Sequence, residues 1–153
     1  MNIILAIIEL IENVLNLADR LKGQKSRGEC LRVVFHCSWD INLVPYAEMI
    51  IQNCGDTSQT IEHLFVSVGI FRPKEFPIVV RWGERELPNL VHDKNGSCSK
   101  ITLRIAERGT LSDIVGKRFI RFGCITEMGG VHLSHFLRRW EKVELRQIVS
   151  KYS

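Results

Sequence analysis

Apolar residues over the first 22 positions recur at a helical period. Ile3, Ile7, Leu10, Val14, Leu17 and Leu21 follow one another at alternating steps of four and three. Ile4, Ile8, Ile11, Leu15 and Ala18 form a second seam with the same steps. Either seam alone would make the stripe of a coiled coil, because this repeat returns side chains to one side of a helix. Together they make an apolar face wider than one narrow contact covers, and Asn2, Glu9, Glu12, Asn13, Asn16, Asp19 and Arg20 fill the remainder. Arg20 and Lys22 suit the negative end of a helix dipole, and Gly23 suits the cap. The pattern predicts an amphipathic oligomerisation or docking helix within residues 1–22. A polar, glycine-containing linker over 23–29 follows.

Beyond the linker the period falls to two. Leu31, Val33, Phe35, Cys37 and Trp39 alternate with Arg32, Val34, His36 and Ser38, which is the signature of a half-buried strand. Ala47, Met49 and Ile51 predict a second strand, and Asn53-Cys54-Gly55-Asp56 a turn. Leu64, Val66, Val68 and Ile70 predict a third. Ile78-Val79-Val80-Arg81-Trp82 predicts a fourth, at an edge because Pro77 precedes it. After a short extended piece at Leu87–Val91 and an Asn95-Gly96 turn, strands are expected at Ile101–Ile105 and Ile120–Cys124. The connection over 107–116 predicts no more than one helical turn, at Leu111–Val115. Glu127–Gly130 turns the chain into a closing strand through Val131, Leu133 and His135, and the charged residues after 138 suit a short helix.

About seven short strands separated by turn signals argue for two packed sheets. The fold class expected is all-β: a two-sheet antiparallel immunoglobulin-like β-sandwich of about seven strands with an N-terminal amphipathic α-helix. The domain boundaries that follow are 1–22 for the helix, 23–29 for the linker, 30–140 for the sandwich and 141–153 for a C-terminal tail.

From Tyr46 to about Trp140 the layout resembles bacterial immunoglobulin-like or fibronectin-like sandwich modules. Ile50-Ile51-Gln52-Asn53-Cys54-Gly55 followed by Thr60-Ile61-Glu62-His63-Leu64 is similar to their second and third strands. Leu87-Pro88, a turn, and Ser99-Lys100-Ile101-Thr102-Leu103 are similar to a later edge and strand, and the hairpin around Gly129-Gly130 to the last pair. The resemblance implies a fold, and such modules mostly bind or build rather than catalyse.

Composition narrows the chemistry. The chain has 153 residues, 45% apolar and 25% charged. A chain of this length buries roughly 70% of its unfolded surface, so it needs no disulfide or metal to hold a core. The net charge of +4 is mildly basic. Positive charge gathers near the C-terminus at Arg138, Arg139, Lys142, Arg146 and Lys151, with Trp140 among them. It is thinner than the cluster of a dedicated nucleic-acid binder, so nucleic acid is not an expected partner. The five cysteines, Cys30, Cys37, Cys54, Cys98 and Cys124, form no CxxC pair. They read as free thiols in a reducing cytoplasm, with Cys54–Cys124 or Cys37–Cys124 the alternative bridges. The apolar start lacks a basic leader and a cleavage site, and Glu9 and Glu12 interrupt it short of a membrane span.

No nucleophile–base motif, phosphate-cradling loop or metal-ligand spacing stands out, so neither a catalytic role nor a cofactor is expected. His132 and His135 would point to opposite faces of one strand. The function expected is a non-enzymatic protein-interaction module. It would self-associate, or dock on a protein partner, through Ile4, Ile7, Ile8, Leu10, Ile11, Val14, Leu15, Leu17, Ala18 and Leu21. The alternative is an effector whose helix inserts at a lipid interface, although a polar face of Glu and Asn rather than Lys does not suit anionic lipids.

Overall fold

The computed structural model describes residues 2–23, 30–78, 87, 89–96, 99–105 and 108–151, with the backbone alone at 19–23, 89 and 108. The first helix, α1, runs Ile3–Gly23. Asn2 caps it, its Oδ1 accepting the Ile4 N–H at 3.1 Å.

Two antiparallel sheets follow. One contains β1 (Leu31–Trp39), β2 (Pro45–Asn53) and β6 (Lys100–Arg104) in the order β1-β2-β6. The other is five-stranded. It orders β4 (Lys74–Ile78), β3 (Gln59–Val68), β7 (Ile120–Thr126) and β8 (Val131–Leu133), and β5 (Asn89–Val91) pairs with the first residues of β3. Alternation decides which faces meet. Leu31, Val33 and Phe35 of β1, Ala47, Met49 and Ile51 of β2, and Ile101 and Leu103 of β6 are all buried on one side of their sheet. Ile61, Leu64 and Val66 of β3 and Ile120, Phe122 and Cys124 of β7 belong to the same core cluster. Phe35 stacks on Phe122 with ring centroids 5.0 Å apart, which joins the two sheets at the centre.

The two-sheet antiparallel framework agrees with the sequence expectation, but the all-β description does not hold. Two further helices, α2 (Arg108–Ile114) and α3 (Arg139–Ser150), are part of the packed structure. Leu111 and Ile114 of α2 and Leu145 and Ile148 of α3 enter the same core as the strands. Residues three apart share a helix face, so both apolar pairs bury together once helical. The 107–116 connection therefore holds a helix longer than one turn.

Two strands begin elsewhere than expected. β3 starts at Gln59 rather than near Leu64, because its register with β7 shifts between Ile61 and His63. That irregularity inserts a residue and breaks the strict alternation that sequence reading relies on. β4 begins at Lys74, four residues before the expected start at Ile78, and is described as far as Ile78; residues 79–82 of the expected strand lie outside the described ones. Pro77 sits opposite Phe65 on β4, which pairs with β3 alone among the described strands, a position where proline is tolerated.

Packing demands a glycine at position 123. A Cβ on Gly123 would come within 2.4 Å of Phe65 Cζ and 2.9 Å of Leu133 Cδ2. Phe65 is itself buried, on the side of β3 away from the main core. Gly123→Ala is expected to displace that ring and cost about 1–3 kcal/mol in a urea titration; a change near zero would mean that the outer packing is loose.

Candidate interaction surface

The orientation of α1 is set by its polar side chains. Lys142 Nζ donates to Glu12 Oε1 at 2.6 Å, and the two side chains are only 15% and 5% exposed. The Phe136 N–H donates to Asn16 Oδ1 at 2.7 Å. That N–H lies between Ser134 and Leu137, whose own N–H groups donate to β7 at Phe122 O and Ile120 O, 2.7 Å each. A buried backbone donor needs a partner, and Asn16 supplies it. Ile8, Leu15 and Ala18 flank these polar contacts and are half-buried. The helix therefore faces its own domain with Glu12 and Asn16 at the centre of the contact.

The consequence is an apolar face turned to solvent. Ile3 is 75% exposed, Ile7 51%, Leu10 63%, and Val14 and Leu17 58% each. These are the first five members of the first seam; the side chain of the sixth, Leu21, lies outside the described residues. From the second seam, Ile4 and Ile11 are also exposed. The ten candidate residues thus divide: one seam faces outward whole, as far as it is described, and the other straddles the boundary with the domain. Sequence reasoning missed the anchoring roles of Glu12 and Asn16. The periodicity shows which face is apolar, but not which face the domain takes.

The surface beneath α1 is built at the start of α3. Glu141, 2% exposed, accepts the Arg138 N–H through Oε2 at 2.7 Å and faces His135 Nε2 at 3.0 Å from both oxygens. This carboxylate satisfies a donor that the first helical turn leaves over. Ser134 spends its hydroxyl on the backbone, accepting from Phe122 N–H at 2.9 Å and donating to His135 O at 2.7 Å. Ser134, His135 and Glu141 therefore act as a structural clasp. His135 also lies beyond the end of β8, so it does not share with His132 the closing strand expected from the sequence. Trp140, in the first turn of α3, is exposed.

A second, smaller apolar outcrop crowns the β1–β2 hairpin. Asp40 Oδ1 accepts the N–H groups of Asn42 at 2.8 Å and Val44 at 2.9 Å. The turn holds Leu43 at a φ of 57°, a conformation that costs a branched side chain energy. It displays Ile41, 97% exposed, and Leu43. Lys151 braces it, donating to Leu43 O at 3.2 Å.

The described cysteines, Cys30, Cys37, Cys54 and Cys124, are free; Cys98 lies outside the described residues. Cys124 is buried on β7, and burial pushes its thiol up to about 12. Burial, then the Glu144 and Glu48 carboxylates, push Cys37 up to about 11. Neither suits a nucleophile, which needs a thiolate. Cys54 faces Cys30 rather than Cys124, because the β1–β2 register that pairs Leu31 with Asn53 places the next residues opposite each other. Cys54 N–H donates to Cys30 O at 2.7 Å, and both side chains are exposed. Such a pair is within reach of a disulfide. Treatment with a small-molecule disulfide is expected to give one Cys30–Cys54 bridge. The two thiols would lose two protons and two electrons, and the reagent would be reduced to two thiols. Peptide mass mapping checks this; mixed adducts alone, without a bridge, would show that the side chains diverge.

Among the described residues, no group of three or more His, Cys, Asp and Glu side chains could hold a metal ion. No described helix is long and apolar enough to cross a membrane. No family model, curated protein or solved structure matches this chain. The immunoglobulin-like resemblance therefore stands at the level of two packed antiparallel sheets, and the reading of function starts from the surface itself.

Proposed function

We propose that this chain is a non-enzymatic protein-interaction module that docks through the outward face of α1. The observation supporting this reading is the inverted seating of an amphipathic helix. Two of its polar residues, Glu12 and Asn16, are spent on its own domain, and the seam from Ile3 to Leu17 is left in water. At about 25 cal/mol per Å², several wet isoleucine and leucine side chains carry several kcal/mol that a covering partner would recover. A monomeric surface rarely keeps so continuous an apolar patch without a use for it. Lipid fits less well, because Glu9 and Asn13 beside the seam offer no attraction to anionic headgroups.

Hydroxyl-radical footprinting tests the reading directly. Ile3, Ile7, Leu10, Val14 and Leu17 are expected to be protected at working concentration and to become reactive on dilution or on loss of the partner. If these side chains react as freely as they do in a short peptide, at high protein concentration, with cell extract and with vesicles, docking through α1 is wrong.

A further inference from the structure

Resting on that docking reading, we infer that the occupant of the α1 face is α1 of a second copy, paired in parallel as a two-stranded coiled coil. The steps of the exposed seam assign its heptad positions. Over the central span Ile7 and Val14 take the a positions and Leu10 and Leu17 the d positions, while Ile3 before it falls at d and Leu21 after it at a. β-Branched residues at a with leucine at d favour two parallel strands, because each side chain then fits the hole that the facing helix offers. Parallel pairing sets Ala6 against Ile11, and Asn13 against Ala18, at the flanking g and e positions. No like charges meet there, and the extra isoleucine gains cover.

Two further observations point to a second copy. With Ala18, an e position, on the boundary, the helix faces its own domain through Ile8, Glu12, Leu15 and Asn16. In the same heptad frame these are b, f, b and c, the positions that a coiled coil turns away from its partner. Intramolecular docking and pairing thus use opposite sides of one helix and do not compete. The area is also sufficient. Seven large apolar side chains from Ile3 to Leu17, exposed by 39–75%, offer surface of the same order as the roughly 800 Å² that each partner contributes to a stable protein pair.

Light scattering across a dilution series is expected to give twice the chain mass, falling to one chain at the dilute end. Leu10→Asp combined with Val14→Asp is expected to give one chain at every concentration. Both side chains point away from the domain, so the thermal transition of the sandwich should stay within a few degrees, and this separates lost pairing from lost folding. Strand direction is read with a photoreactive phenylalanine analogue in place of Ala6. Cross-links to the partner's residues 1–12 support the parallel pair, and cross-links to its residues 13–23 overturn it. A mass of three or four chains overturns two-strandedness. A wild-type mass of one chain at every concentration overturns self-pairing; footprinting then separates the two failures. Protection of Leu10 and Val14 with cell extract would leave docking standing with another occupant, whereas full reactivity would remove both readings.

Discussion

Phe122→Ala is expected to destabilise the protein by about 3–5 kcal/mol, the range for emptying an aromatic site in a core. Phe122 is among the largest fully buried side chains and stacks on Phe35 across the two sheets. Its removal takes away both the transfer free energy of the ring and its contacts with the facing sheet. Strand backbones held on both sides, by β3 and β8 in the case of β7, cannot close readily over the space. For a chain of this size about 1 kcal/mol moves the melting temperature by roughly 2–4 °C, so a fall of about 6–20 °C should appear in calorimetry. Phe122→Leu keeps most of the volume and should lose less than half as much. Phe35→Ala is expected to be less than additive with Phe122→Ala, since either truncation alone ends the stack. A loss below 1 kcal/mol for Phe122→Ala would show that the sheets are held together elsewhere.

Much of this architecture is legible in the sequence, and the reasons are physical. β1 and β2 read cleanly because their side chains alternate from Leu31 to His36 and from Pro45 to Asn53, although Trp39, expected on the inner face, is exposed at the end of β1. α1 reads cleanly because its two seams repeat over five turns. β3 reads late because its register shift falls after Ile61, and local alternation carries no information about a bulge imposed by the neighbouring strand. α2 reads too short because only Leu111 and Ile114 mark it, and their value as a helical pair depends on a core that the sequence does not display. The interaction surface divides in the same way. Ile7, Leu10, Val14 and Leu17 announce themselves by spacing. Glu12 and Asn16 do not, because their roles depend on Lys142 and on the Phe136 amide, more than a hundred residues away in the chain.

That long-range dependence makes the start of α3 the point where stability and presentation of the helix are coupled. Glu141→Ala is expected to cost about 2–4 kcal/mol, because it leaves the Arg138 N–H and the His135 ring without their buried acceptor. Its effect should also reach α1. Phe136 lies between the two residues that Glu141 holds, and Lys142 follows Glu141 directly, so both anchors of α1 are positioned by this clasp. Glu12→Ala acts on α1 alone. It strands the Lys142 ammonium, a situation that costs about 3–5 kcal/mol when the surroundings cannot respond. Here they can: undocking of the helix returns Lys142 to water, so the cost is capped at the free energy of docking. Glu12→Ala should therefore speed amide exchange throughout α1 while the sandwich melts almost as before, whereas Glu141→Ala should do both. In the double variant, Glu12→Ala should add little to α1 exchange, because the anchor it removes has already moved. Full additivity would mean that α1 is held without help from the α3 clasp. The outward aim of the apolar seam would then depend on Asn16 and the half-buried Ile8 and Leu15.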